Sequence, residues 1–308
     1  MKNKITKKAA LKIFSLPLEE ALKTGEKFRR AYKGNEVSSC AIVNAKSGAC
    51  AENCKFCAQS VYNKASSPKY PLVSAKKLSQ AASKAIKSGA ACFGIVTSGN
   101  ALSNNEFAEL CSFVKGFKNA SKLGFSVGTL SEAQLKALKK TGVSRIHHNL
   151  ETSKKFFPNI CTTHTYAQRV KNIRLAQKLG FKICSGGLFG IGESLEDRVD
   201  LAFELKKLNV DSMPINFFVN HKGTRVGKVK KMSADEMLKT IAMFRYVNPS
   251  KHITVCGGRA LLGDKQNLIF MAGASGVMVG DYLTVKGAAV KEDLKMIKKA
   301  GYIHTDKG

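Results

Sequence analysis

Short apolar runs alternate with amphipathic stretches almost from end to end of this 308-residue chain, and that alternation limits the folds open to it. The strand candidates are 38–43, 91–97, 124–128, 144–149, 182–187, 212–218, 252–256 and 276–279. Helix patterns lie between them. Ser74 caps a stretch with Leu78, Ala82, Ala85 and Ile86 that stops at Gly89. Ser131 caps one with Leu135 and Leu138 that stops at Gly142. Ser194 opens a third through Val199, Leu201 and Leu205, and Ser233 a fourth with Met237, Ile241 and Phe244 that ends before Pro249. In each case a hydroxyl can accept from the orphan N–H groups of a first turn, and Gly or Pro marks the end. Strands each followed by a helix, counted through these runs, predict an α/β fold: a (β/α)8 barrel of TIM type, for which about 250 residues is typical. A helix over 15–32, with Leu18, Ala21, Leu22 and Phe28 on one side, precedes the first strand. No linker composition or short repeat divides the chain. The expectation is one domain over 1–308 with a helical extension over 1–36. Chemistry in such barrels sits at the C-terminal ends of the strands.

Lys and Arg number 51 against 22 Asp and Glu, a formal charge of +29. The lysines are dispersed, as at Lys136/Lys139/Lys140 and Lys206/Lys207, so they read as a solvated surface that attracts anionic small molecules or acidic partners. With no Trp and 8% aromatic residues a base-stacking platform is not evident, and nucleic acid is not the expected partner. No run approaches 18 apolar residues, so no membrane span is expected. The N-terminus is basic, but Lys12, Pro17 and Glu19-Glu20 interrupt any signal-peptide core, which places the chain in the cytoplasm.

Nine cysteines are many for a cytosolic chain, where disulfides rarely persist. Cys50-Ala-Glu-Asn-Cys54-Lys-Phe-Cys57 crowds three into a C-x3-C-x2-C spacing after the first strand. A structural zinc site wants four ligands, usually paired C-x2-C units. Three close thiolates instead leave one iron of a 4Fe-4S cluster open to a substrate or cofactor. A second feature, Gly186-Gly187-Leu188-Phe189-Gly190-Ile191-Gly192-Glu193, follows the fifth strand. Alone it is a tight turn or a phosphate loop. At a barrel strand end its backbone could approach an adenine edge closely.

The cysteine spacing resembles that of radical S-adenosylmethionine (SAM) enzymes, and the barrel pattern agrees. Over about residues 15 to 304 the chain resembles the biotin synthases. The carrying segments are Ser47-Gly48-Ala49-Cys50 through Gln59-Ser60, Gly128-Thr129-Leu130-Ser131-Glu132, and His148-Asn149-Leu150-Glu151-Thr152-Ser153. They continue with Thr162-Thr163-His164-Thr165-Tyr166 to Arg169, and Cys184-Ser185-Gly186-Gly187 to Glu193. Pro214-Ile215-Asn216-Phe217, Gly257-Gly258-Arg259 and Gly280-Asp281-Tyr282-Leu283-Thr284 complete the set. The resemblance implies a radical SAM barrel whose open iron takes the amino and carboxylate groups of SAM. It places Phe56 against the adenine, with Gly187, Gly190 and Glu193 at the cofactor. Asn149 and Glu151 fall at the ribose, Glu151 standing where the family usually has Asp. Arg169 falls where an Arg reaches the methionine carboxylate, and Asn216 where the ureido ring of dethiobiotin is held. His147 replaces a usual Asn near the substrate and could hydrogen-bond the ureido ring or sit by a second cluster. An acidic electron-donor protein such as flavodoxin or ferredoxin, and a homodimer, are further expectations.

The chain departs from the family at the sulfur-donating two-iron cluster. The usual ligand positions read Gly94, Gly124 and Thr254 here, and only Cys184 survives. The chain could have lost sulfur insertion, could be a degenerate paralogue, or could build a different cluster. Strand parity favours the last. Cys92 lies two residues before Gly94 and Cys256 two after Thr254, and residues i and i+2 share a strand face. With Cys40 on the first strand as a fourth ligand, Cys92, Cys184 and Cys256 could hold a second, auxiliary iron–sulfur cluster, since four thiolates suit a four-iron cluster. Gly94 and Gly124 would then leave volume for it. Cys111 and Cys161 read as structural thiols. Two other readings stay open: a radical SAM enzyme without sulfur insertion, of the hydrogenase-maturation or pyrrolysine-pathway type, and a non-catalytic basic RNA-binding barrel.

Overall fold

The computed structural model describes residues 5–280 and 290–306, so Asp281, Tyr282, Leu283 and Thr284 of the resemblance lie outside the described residues. Within them β1 (Glu36–Lys46), β2 (Cys92–Thr97), β3 (Leu123–Ser126), β4 (Arg145–His147), β5 (Lys182–Cys184), β6 (Gly187–Phe189), β7 (Ser212–Phe217), β8 (His252–Val255) and β9 (Gly276–Met278) are all parallel. β9 returns to β1 from Ser38↔Gly276 to Cys40↔Met278 and closes the barrel. β5 and β6 are two halves of one barrel strand. The break has a cause on the neighbouring strand. Pro214 in β7 has no N–H to offer, so pairing stops at Cys184↔Ser212 and resumes at Gly187↔Ile215. At the break the chain presses so close that a Cβ on Gly186 would lie 1.9 Å from the Pro214 carbonyl oxygen.

Helices α3 (Ala75–Lys87), α4 (Asn104–Lys115), α5 (Glu132–Lys140), α6 (Tyr166–Lys178), α7 (Leu195–Leu208) and α8 (Ala234–Val247) follow the strands, and α9 (Val290–Lys299) ends the ring. The expected caps are in place. The Ser74, Ser131, Ser194 and Ser233 hydroxyls each accept a first-turn N–H, and Gln134 and Asp197 complete capping boxes. The single helix expected before the barrel is two, α1 (Lys7–Ser15) and α2 (Leu18–Lys33). Pro17 separates them, since it cannot supply the N–H a continuous helix needs there. Both pack on the outer helices, α1 on α7 and α8, α2 on α8. A short strand missing from the sequence reading, β10 (Ile303–Thr305), pairs with the start of β1. No helix among the described residues is long and apolar enough to cross a membrane.

Two fully buried arginines brace the N-terminal end of the barrel. Arg29 donates to the carbonyls of Ala274 (2.8 Å), Gly34 (2.6 Å) and Glu36 (2.9 Å). Arg245 donates to those of Gly273 (2.8 Å), Pro249 (2.9 Å) and Lys251 (2.7 Å). Burial, with Arg29 nearby, pulls Arg245 down to about 9. Each guanidinium ties its own helix end to the turn at 273–274.

The core is a ring between strands and helices. Phe93, Ile95, Phe125, Ile146, Ile183, Met213, Ile215, Phe217, Ile253, Val255 and Val277 point outward and are buried. The alternate positions, among them Cys40, Cys92, Arg145, His147, Asn149 and Asn216, are only partly buried. A TIM barrel usually fills its interior with branched apolar layers. This one lines its interior with thiols, glycines and polar groups, and that lumen is where the site lies.

Candidate active site and metal centres

The loop after β1 turns sharply at Gly48 (φ 71°) and Ala49 (φ 49°) before Cys50. Asn63 holds it from beneath, its Nδ2 donating to the carbonyls of Cys54 (3.1 Å), Lys55 (3.2 Å) and Cys57 (2.7 Å). Arg225 in turn donates to Asn63 Oδ1 (3.0 Å) and to the Asn53 carbonyl (2.7 Å). Neither residue stood out in the sequence, because their work is on backbone oxygens far away in the chain. On this loop Cys57 is pushed up to about 11 by burial, with the charge of Cys50 adding, while N–H groups of Gln59 and Ser60 pull it back. Amides aimed at a sulfur are a feature of iron–sulfur sites. Phe56 packs against the core beside this loop.

Cys161, read from the sequence as a structural thiol, lies beside the cysteine loop. Its sulfur lies against Cys54 and 3.4 Å from His164 Nδ1, and the ligand atoms of these three residues all fall within 4.8 Å of one another. Cys54 is raised strongly by its contact with Cys161 and by burial, while Cys161 is pulled down to about 3, first by Cys54 and then by His164. Burial alone would lower His164, but Cys161 and the hydrogen-bonded Glu52 carboxylate outweigh it.

Arg169, Asn149 and Glu151 meet at the upper end of β4. Arg169 is no surface cation: Nη1 donates to the Asn149 carbonyl (2.7 Å) and Nε to His164 Nε2 (3.0 Å). Asn149 Oδ1 accepts from Gly186 N (3.2 Å). Glu151 sits in the left-handed region at φ 68°, and its backbone bridges to Gly187. Burial raises the Glu151 carboxyl, against the pull of Arg169. Asn216 spans two strands, donating to the Gly187 carbonyl (3.2 Å) and accepting from Gly257 N (3.0 Å). One amide hydrogen and one oxygen lone pair remain on it.

The glycine-rich turn requires a correction at Glu193. Both its oxygens hold the turn, accepting from Gly190 N and Ile191 N at 2.9 Å, and Arg198 donates to it at 2.7 Å. Its side chain is 1% exposed, so it shapes the loop rather than facing a cofactor. Gly187 is required by packing too, since a Cβ there would lie 2.7 Å from the Glu151 carbonyl oxygen. Gly190 (φ 88°) supplies the turn beside Met232.

Deeper in the lumen Cys40, Cys92, Cys184 and Cys256 form a quartet. Cys40 is in register with Cys92, which settles the face it occupies, and the two thiols interact. The proximity of Cys40, together with Arg145, lowers Cys92 against its burial, while the proximity of Cys92 and burial raise Cys40 well above its ordinary value. Burial raises Cys256 well above the usual thiol range and Cys184 to about 11, with Arg145 opposing the latter. Arg145, missed in the sequence reading, sits beneath them. Its position was legible, since it lies two residues before His147 on one strand face.

His147 also corrects the sequence reading. The space at Gly94 and Gly124 is taken by its imidazole: a Cβ at Gly124 would lie 2.3 Å from Nε2, and one at Gly94 3.5 Å from Cε1. Burial, then Arg145, takes this histidine down to about 3, and its buried Nε2 has no hydrogen-bond partner. Glycine at 124 and histidine at 147 are therefore one coupled feature. Gly124→Ala is expected to cost about 1–3 kcal/mol by overpacking. His147→Asn should recover part of it, as a double-mutant cycle in thermal unfolding would show.

Residues 45–205 match the radical SAM superfamily and residues 214–303 the Biotin and Thiamin Synthesis associated domain. Among solved structures the chain resembles methylornithine synthase (TM-score 0.83, 18% identity, 99% of this chain and 95% of that one). It also resembles the FeFe-hydrogenase maturase of Carboxydothermus hydrogenoformans (TM-score 0.82, 13% identity, 98% and 76%). At those identities the likeness is one of fold. The barrel, its cysteine loop and the superfamily match define a radical SAM enzyme. The chain is 48% identical to the biotin synthase of Endomicrobium trichonymphae (96% of this chain, 93% of that one). It is 42% identical to that of Clostridium botulinum strain Alaska E43 (97% and 94%). It belongs to the biotin synthase family and is a sulfurtransferase of the radical SAM class.

Proposed function

We propose that this enzyme inserts sulfur into dethiobiotin and draws it from an auxiliary iron–sulfur cluster on Cys40, Cys92, Cys184 and Cys256. The observation that carries the reading is the quartet: four buried or half-buried thiols facing one lumen, with a guanidinium against them. The donor set fits a four-iron cluster, and Arg145 supplies the buried counter-charge that such an anionic group needs. Cys50, Cys54 and Cys57 fit the SAM-cleaving cluster. When bound, the first cluster supplies the electron that cleaves SAM and the second the sulfur; positioning falls to the protein.

Arg169 orients the methionine carboxylate, Asn149 and Glu151 hold the ribose, and Phe56, Gly187 and Gly190 border the adenine. Asn216 offers its remaining donor and acceptor to the ureido group, complementary to a ureido N–H and carbonyl. An acidic protein supplies the electron: Lys55 lies within the cysteine loop, Arg225 is hydrogen-bonded to its backbone, and Arg225 lies over the exposed Tyr62. The working form on this reading is a homodimer in the cytoplasm.

Anaerobic reconstitution with iron and sulfide counts, followed by dethiobiotin turnover in the same sample, tests the proposal. Iron for one cluster only, or no biotin from protein holding both, would refute it. Arg169→Ala removes a charge-assisted contact of roughly 1.5–3 kcal/mol and should weaken SAM binding about ten- to a hundredfold. Asn216→Ala should weaken dethiobiotin binding and leave SAM cleavage in place. Titration of each ligand against each variant reads the split, and the reverse pattern would count against the assignments.

A further inference from the structure

Among the described residues the N-terminal mouth of the barrel is open. A cavity of about 380 Å³ lies there; α1 and α2 pack on the outer helices, and α2 reaches the cavity only with its last residue, Lys33. Its rim carries exposed Lys182, Asp211 and Glu36, with Lys33 half-buried beside them. Further in, the wall is made of the buried hydroxyls of Ser38, Ser212 and Ser275. His252 is fixed between two of them, Nε2 at 3.0 Å from Ser38 Oγ and Nδ1 at 3.2 Å from Ser275 Oγ. The inner end reaches Ser212, which is in register with Cys184, and Arg145, two residues before the His147 that is also in register with Cys184.

The cavity thus runs from solvent to Arg145 and Ser212, which stand between it and the quartet, on the side away from the SAM loop. We propose that it is a port through which hydrosulfide reaches Cys40, Cys92, Cys184 and Cys256. The inference rests on the quartet holding the sulfur-donating cluster. A sulfur donor that gives up an atom in each product must be refilled, and SAM and dethiobiotin cover the upper face. Hydrosulfide is a small anion, able to pass hydroxyl donors and to pair with a guanidinium. It delivers sulfur already at the sulfide level, so refilling releases one proton and transfers no electron. Lys182 and Lys33 offset the rim carboxylates, one of which, Asp211, is engaged by Ile183 N at 2.8 Å. Arg145 is the positioning residue at the inner end.

The test uses the full chain carrying Cys50→Ala, Cys54→Ala and Cys57→Ala, reconstituted so that only the quartet can hold iron. Uptake of 34S-labelled hydrosulfide into acid-labile sulfide is followed by mass spectrometry, without reductant. Lys182→Glu in this background should slow uptake about three- to tenfold at low salt, less at high salt, with iron content unchanged. Lys76→Glu, the same charge change at the opposite end of the barrel, should leave it unaltered, as should saturating dethiobiotin. Uptake unchanged by Lys182→Glu, or slowed equally by Lys76→Glu, overturns the port and leaves the cluster assignment standing. A triple variant that retains no iron refutes the cluster assignment itself, and the port with it.

Discussion

With any one of Cys50, Cys54 and Cys57 replaced by Ala, 5′-deoxyadenosine formation from SAM is expected to fall to the background of a protein-free control. The effect should be total because the open iron exists only while three thiolates hold the other corners, and the loop has no slack to lend. Asn63 fixes three of its carbonyls and Arg225 fixes Asn63. The one neighbouring thiol that could substitute is Cys161, already against Cys54. For that reason the decisive variant combines Cys54→Ala with Cys161→Ala. Product measured by chromatography after dithionite reduction reads the result, and undiminished product in the Cys50/Cys54/Cys57 triple Ala variant would falsify the assignment.

Cys92→Ala, Cys184→Ala and Cys256→Ala together should remove the iron and sulfide of the second cluster and reduce biotin to none detectable. SAM cleavage should persist, now uncoupled from sulfur insertion. The chain should still fold, since each exchange trades a thiol on the lumen face for a methyl group and the outward row of apolar side chains is untouched. Mössbauer spectra and iron counts separate this from general damage. A triple variant that keeps all its iron and still makes biotin would place the sulfur donor elsewhere.

The strand runs were legible because inward and outward residues differ in kind: Phe93 and Ile95 against Cys92 and Gly94, Ile146 against Arg145 and His147. Parity, applied to the ligand positions that the family resemblance supplied, brought Cys92 and Cys256 together with Cys184. What stayed hidden needed a partner from elsewhere in the chain. The break at Ser185–Gly186 is imposed by Pro214 on the next strand. Glu193 reads as a site residue until its contacts with Gly190, Ile191 and Arg198 are seen. The volume that two glycines seemed to leave is filled by His147. α6 is polar along most of its length, with Asn172 among its few buried residues, so its periodicity is faint. β10 is three residues long and pairs only with the first turn of β1's register.

A barrel whose apolar core is a ring can be rewritten on the inside without being rebuilt. Moving a ligand two residues along a strand, from 94 to 92 or from 254 to 256, keeps it on the same face and leaves the outer apolar ring untouched. Such a scaffold can pass through forms with partial or altered ligand sets while remaining folded at every step. The metal chemistry of these barrels is therefore free to diverge between lineages far faster than their architecture.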